Sequence, residues 1–226
     1  FTGIHQEKFG TGLISQYGVQ TDSRQPELGE CALTVAGAFE LVESFHPLVT
    51  GKSEGRLNSM SAMEISVVDE RDVNEGLPTL NPKSVQEPGI LYLTLSPRGL
   101  ATVTSSGVEA SPWTTDIKEL TRIRRRYMLT GATLESSRVY DIARVVGDLH
   151  RLLPDKTISL SSRGRSAVNT LYASLFTDGI ESIKLQGMPG SHDSTDAPDY
   201  LNILRIMDIP QVLELARTRA HIQIQE

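Results

Sequence analysis

From residue 89 onward two hydrophobic periodicities take turns, and this alternation narrows the folds open to the chain more than any other feature. The run "GILYLTL" (89–95), with Ile90, Tyr92 and Thr94, is continuously apolar and ends at "SPRG", as a buried strand leading into a turn does. In "SSRVYDIARVVGDLHRLL" (136–153), Val139, Ile142, Ala143, Val146, Leu149 and Leu153 share one helical stripe, closed by Pro154 and Asp155. A second strand, "KTISLSS", follows. A helix over 165–176 turns Val168, Leu171, Tyr172 and Leu175 inward, and "IESIKLQ" (180–186) is a third strand. After a polar loop carrying His192, residues 199–217 hold one or two helices, with Pro210 in a first turn behind Asp208, where proline is tolerated. "AHIQIQ" (220–225) alternates with period two. Strand and helix in turn predict an α/β chain with a mostly parallel, doubly wound sheet.

The region before that pattern is harder to read. Over residues 1–86, glycines, Ser/Thr clusters and short apolar runs such as "CALTVAGAF" and "AMEISVVDE" suggest irregular strands and loops. The Pro-, Gly- and Asn-rich segment 73–89 reads as a loop or linker, so we expect a division into residues 1–86 and an α/β domain over 87–226. Residues 96–115, ending in "SPWTT", read as loop.

Composition removes several function classes. A net charge of -6 argues against a general nucleic-acid binder, which needs a basic face for phosphates. No apolar stretch approaches the ~20 residues that cross a bilayer, and no cofactor motif stands out. The one cysteine, Cys31, excludes an internal disulfide and a multi-cysteine metal site, and reads as a small buried hydrophobe. The chain opens on Phe1 rather than Met, as a processed protein or a piece of a longer product would, so a signal peptide would already be gone.

The most pointed local feature lies in "ISLSSRGRSAVNTLYASLF" (158–176). A nucleophile elbow, G-x-S-x-G between strand and helix, needs small flanking residues because its nucleophile sits in a strained turn. Here the pattern falls on Ser162, Arg163, Gly164, Arg165 and Ser166, with small residues at both flanks and glycine at the nucleophile position. A shifted frame offers Ser162 or Ser166 instead, with poorer flanks. A third reading is an anion site at a helix N-terminus beside Arg163 and Arg165. A dinucleotide fingerprint is poorly matched, with one glycine of the three that G-x-G-x-x-G requires.

The stretches "SPRG" (96–99), "RIRRRYMLTGATLESSRVYDIARVV" (122–146), "NTLYASLF" (169–176), "MPGSH" (188–192) and "YLNILRIMDIPQVLELA" (200–216) resemble the α/β-hydrolase superfamily. More narrowly, they resemble the acetyl xylan esterase-like hydrolases of planctomycete-type bacteria. The resemblance implies a bacterial-type soluble protein, exported or periplasmic residence being open to it, with carbohydrate or a small-molecule ester as ligand. It puts oxyanion-hole amides near Arg98 and Gly99 and at Arg165, and the nucleophile at Gly164. The triad acid would follow the strand "HIQIQ" and the histidine one further strand, both beyond Glu226, as in a chain truncated at its C-terminal strand. With glycine as nucleophile, the resemblance implies a non-catalytic binding or structural module. The rivals are an active carboxylic-ester hydrolase with a displaced serine, and an anion- or nucleotide-binding module at Gly164.

Other residues carry weaker signals. His192, with Asp193 and Asp196 nearby, could be a base oriented by an acid, or a loop histidine that caps backbone groups. No second metal ligand stands at helical or hairpin spacing from it. His5, His46, His150 and His221 stand alone. Arg122, Arg124, Arg125 and Arg126 look like an anion site, but also like a solvated face or arginines paired with carboxylates. Trp113 could stack on a sugar ring or simply pack.

Overall fold

A computed structural model describes residues 32–36, 61–74, 89–104, 107–110 and 116–225. Six strands form one sheet: β1 (Ala32–Ala36), β2 (Ala62–Val67), β3 (Ile90–Ser96), β6 (Thr157–Arg163), β7 (Ile180–Gln186) and β8 (His221–Gln225). Two more, β4 (Ala101–Thr104) and β5 (Gly107–Ala110), make an antiparallel hairpin. The helices are α1 (Glu70–Asn74), α2 (Ile117–Leu129), α3 (Leu134–Leu152), α4 (Gly164–Ala173) and α5 (Ile209–Arg217), with a 3-10 turn at Ile203–Arg205. The sheet order is β1-β3-β2-β6-β7-β8. Only β1 runs antiparallel to its neighbour; the other pairings are parallel. This is the mostly parallel α/β architecture that the two periodicities predict.

One apolar cluster holds the layers together. Met63, Ile65 and Val67 of β2, Ile158 and Leu160 of β6, and Ile183 and Leu185 of β7 meet Ile142 and Val146 of α3, Leu171 of α4 and Val212 of α5. Burying each such side chain contributes about 1.5–3 kcal/mol. On β6 the buried residues alternate with partly exposed ones, so its register is fixed by which face meets the helices.

The helix ends follow local chemistry. Thr133 and Ser136 form a reciprocal capping box, which starts α3 at Leu134 rather than at the expected residue 136. Asp208 and Gln211 do the same for α5, with Pro210 in its first turn. α2 was not visible as a helix in the sequence, because its arginines interrupt the stripe formed by Leu120, Ile123 and Tyr127. Asp116 caps it by accepting from the Lys118 amide at 2.8 Å.

One expectation changes. Residues 96–115, read as loop, hold the end of β3 and both strands of the β4–β5 hairpin. β2 and β3, which lie on either side of the 75–88 segment, pair directly in parallel. Cys31, Trp113, His5 and His46 lie outside the described residues.

Candidate functional site

β6 ends at Arg163 and the chain turns straight into α4 at Gly164, whose φ of 57° lies in the left-handed region. A side chain there is strained for an L-residue, and glycine is not. Space is the second constraint. A Cβ on Gly164 would lie 2.9 Å from Asp69 Oδ1 and 3.1 Å from Asp69 Oδ2. Asp69 comes from the turn after β2, the strand beside β6, where Val67 is in register with Ser162.

Asp69 is buried and held from several sides. Its Oδ2 accepts the Ser166 amide at 2.9 Å and its Oδ1 accepts the Arg71 amide at 3.0 Å. Its own amide donates to Asp72 Oδ2 at 2.7 Å, and Asp72 Oδ1 pairs with Arg163 Nε at 2.6 Å. Ser166 Oγ donates to the Val68 carbonyl at 2.8 Å, and the Val68 amide donates to the Leu95 carbonyl at 2.9 Å. The residue at the N-cap position of α4, Arg163, makes no side-chain cap. Asp69 does that work from the neighbouring strand, placing a carboxylate at the positive end of the helix.

The other anticipated residues fall in separate places. The Arg98 amide and guanidinium both donate to Asp141, at 3.1 Å from the amide and 2.8 Å from Nε. Burial works against the Arg98 charge, but the Asp141 carboxylate outweighs it and raises the guanidinium pKa. The Arg98 amide, assigned to an oxyanion hole by the resemblance, is thus engaged on α3, and Gly99 belongs to the same turn. The turn facing Gly164 is the one at Val68 and Asp69, because β2 rather than β3 neighbours β6. Arg165 donates to the carbonyls of Thr195 and Asp196, at 3.1 and 3.2 Å, and so ties the loop after β7 to α4. Ser162 Oγ is buried with no hydrogen-bond partner.

His192 lies in that loop. Its Nε2 is 2.9 Å from the Tyr172 hydroxyl, and its ring packs against Tyr172 and Tyr200 with centroids 5.6 and 5.4 Å away. The carboxylate nearest its backbone is Asp208, which holds the loop rather than the ring. Asp208 Oδ1 accepts the His192 amide at 2.7 Å and Oδ2 accepts Ser191 Oγ at 2.6 Å, while Asp193 is exposed. Burial lowers the His192 pKa and Asp208 partly offsets this. Burial, with the Asp208 charge, pushes the Tyr172 phenol up to about 12. A phenol held protonated beside a neutral imidazole can donate to Nε2.

Sequence reasoning missed a buried polar chain flanking α4. Tyr200 donates to Asn169 Oδ1, Asn169 Nδ2 donates to Glu135 Oε2 at 2.8 Å, and Arg138 Nη1 reaches Glu135 at 2.9 Å and Glu70 at 3.2 Å. Burial alone would raise the Glu135 carboxyl; Arg138 and the Asn169 hydrogen bond outweigh it and hold it below the usual range. The available signal was polarity inside apolar stripes: Arg138 beside Val139, and Asn169 between Val168 and Leu171. Among the described residues no three His, Cys, Asp or Glu side chains are grouped as a metal site requires, and no helix is long and apolar enough to cross a membrane.

Among the described residues around Gly164, no serine hydroxyl is hydrogen-bonded to a histidine. Ser166 Oγ points to a carbonyl, Gly164 has no side chain, and His192 Nε2 is engaged with Tyr172. No protein-family model matches the sequence, and neither does any curated protein. Among solved structures, a candidate dienelactone hydrolase from Klebsiella pneumoniae subsp. pneumoniae MGH 78578 is 13% identical over 75% of this chain and 75% of its own, with a TM-score of 0.39. An acylaminoacyl peptidase from Pyrococcus horikoshii is 9% identical over 74% of this chain and 33% of its own, with a TM-score of 0.35. Both likenesses are slight, and the functional reading rests on the geometry around Gly164.

Proposed function

We propose that this chain carries an α/β-hydrolase-type domain whose nucleophile position is closed, and that it acts as a non-catalytic binding or structural module. One observation carries the reading: the Asp69 carboxylate lies where a side chain on residue 164 would have to go. The strand–turn–helix plan of an elbow is kept, with glycine at its tip. The group that fills the turn is a carboxylate bound to the Ser166 amide, which is a cap and not a nucleophile poised against a base. The amides of Val68 and Asp69, in the turn beside Gly164, are both engaged, with the Leu95 carbonyl and the Asp72 carboxylate, which leaves neither free to serve an oxyanion hole. The same carboxylate opposes the anion-binding alternative, since a phosphate at this helix end would meet a fixed negative charge.

The test is the intact mass of the protein after incubation with a fluorophosphonate, beside an active serine hydrolase as control. We expect the control to be labelled and this protein to keep its mass. A stoichiometric adduct would overturn the reading, and peptide mapping that placed it on Ser162 would revive the displaced-serine esterase.

A further inference from the structure

We propose that the outer face of α2 docks an acidic peptide segment of a partner protein, one with apolar side chains among its carboxylates. The helix carries Lys118, Arg122, Arg124, Arg125 and Arg126 against a single carboxylate, Glu119, in a chain whose net charge is -6. Lys118, Arg122, Arg125 and Arg126 fall at relative positions 0, 4, 7 and 8, the spacing of one helical face. All four are exposed. Arg122 pairs only with Glu119 on its own helix, at 2.7 Å. Among the described residues Lys118, Arg125 and Arg126 have no ion pair.

Carbon is exposed on and beside that face: Leu129 falls among the basic residues, while Ile117 and Met128 lie about a quarter turn to one side. Ile117 is 80% exposed, Leu129 87% and Met128 49%. Met128 also borders a small crevice between α2 and the start of α3, lined by Arg124, Thr133, Leu134, Glu135 and Asp199, whose two carboxylates leave the basic outer face rather than this crevice to meet the peptide's acids. Positive charge interleaved with exposed apolar side chains is complementary to a peptide that alternates the opposite charge with apolar groups. It suits neither of the larger polyanions. A nucleic acid or an anionic bilayer is broad enough to meet the acidic remainder of the chain as well. The apolar stripe an interfacial helix would insert, centred on Ile123, is turned inward here. This inference is independent of the closed elbow, and each can fail without the other.

Fluorescence polarisation tests it, using a fluorescein-labelled peptide of three Glu-Glu-Leu-Asp repeats. A Lys-Lys-Leu-Lys counterpart, phosphatidylserine-containing vesicles and duplex DNA serve as comparison probes. We expect saturable binding of the acidic peptide alone, weakened on the order of tenfold by R125E/R126E and weakened again between 50 and 500 mM salt. Met128→Ala with Leu129→Ala should weaken it severalfold with the salt slope unchanged. Unchanged melting temperatures would show that these exposed substitutions leave the fold intact. No binding by the native protein, binding that R125E/R126E leaves unaltered, or an equal response to vesicles or DNA would overturn the proposal.

Discussion

Asp69 and Glu135 are both buried carboxylates beside α4, 2% and 1% exposed, and they are satisfied by opposite means. Asp69 takes its hydrogen bonds from the peptide amides of Ser166 and Arg71, at a helix start where the backbone already supplies positive potential. Glu135 lies within α3 and relies on a full counter-charge, Arg138, itself 1% exposed. The difference separates a local cap from a tertiary lock. Asp69 joins two neighbouring strand ends, whereas the Glu135–Arg138 pair joins α1, α3 and α4 through Glu70 and Asn169.

If that contrast is right, the largest effect belongs to Arg138→Met. It leaves Glu135 buried without its counter-charge and should cost about 3–5 kcal/mol in urea unfolding. A second change, Glu135→Gln, should recover part of the loss, because a neutral amide is cheaper to bury than an unpaired carboxylate. A loss below about 1 kcal/mol for Arg138→Met would reduce the lock to an ordinary surface pair.

Asp69→Ala should cost less, about 1–3 kcal/mol, since it orphans two neutral amides. Gly164→Ser should cost a similar amount through its left-handed backbone and the nearby carboxylate. The two changes should couple, with Gly164→Ser less harmful in the Asp69→Ala background than alone. Strict additivity in a double-mutant cycle would show that the carboxylate and the missing side chain do not compete for one place. Gly164→Ser should also give no ester turnover on p-nitrophenyl acetate above the native protein.

Acid should separate His192 from Glu135 more gently. The native His192 pKa is depressed, so the unfolded chain binds the proton more strongly; its contribution is full above about 6.5 and is lost below that, as pH falls through the lower native value. The Glu135 pKa is depressed too, and its contribution is lost lower, as pH falls through the carboxylate range. Melting temperature should therefore decline in two stages between pH 7.5 and 3.5. His192→Gln should flatten the first stage and spare the second. Because His192 is partly exposed, the first stage is small, and a decline unaltered by His192→Gln would assign it to another group.

The smallest effects belong to the outer face of α2, where Arg125 and Arg126 make neither kind of contact. Arg125→Ala and Arg126→Ala should each stay within about 0.5 kcal/mol of the native stability. A larger loss in urea unfolding would mean that the outer face of α2 carries fold stability.

Much of this fold was legible. The stripe of Val139, Ile142, Val146 and Leu149 announced α3, and the alternation in "TISLSSR" announced β6 and its buried face. β1 and β2 fall within "CALTVAGAF" and "AMEISVVDE", runs read as strands, but runs so short carry no periodicity that could place them in the sheet. The site was half legible. Glycine at a strand–helix turn could be read from spacing, but what fills the space in front of it could not. Asp69 lies 97 residues from the amide it caps, with no motif linking the two. The surroundings of His192 were hidden for the same reason: Tyr172, which meets its ring, and Asp208, which accepts its backbone amide, both arrive through the fold.

By itself, the sequence determined the strands and helices from α3 onward and the bend at Gly164, because helical and extended periodicity and the freedom of glycine act over neighbouring residues. The tertiary structure decided the order of the strands, and with it which turn faces Gly164 and which carboxylate closes it. Buried polar groups must find partners wherever packing brings them. Whether an elbow is open or shut is therefore settled by the strand beside it, not by the motif that forms it.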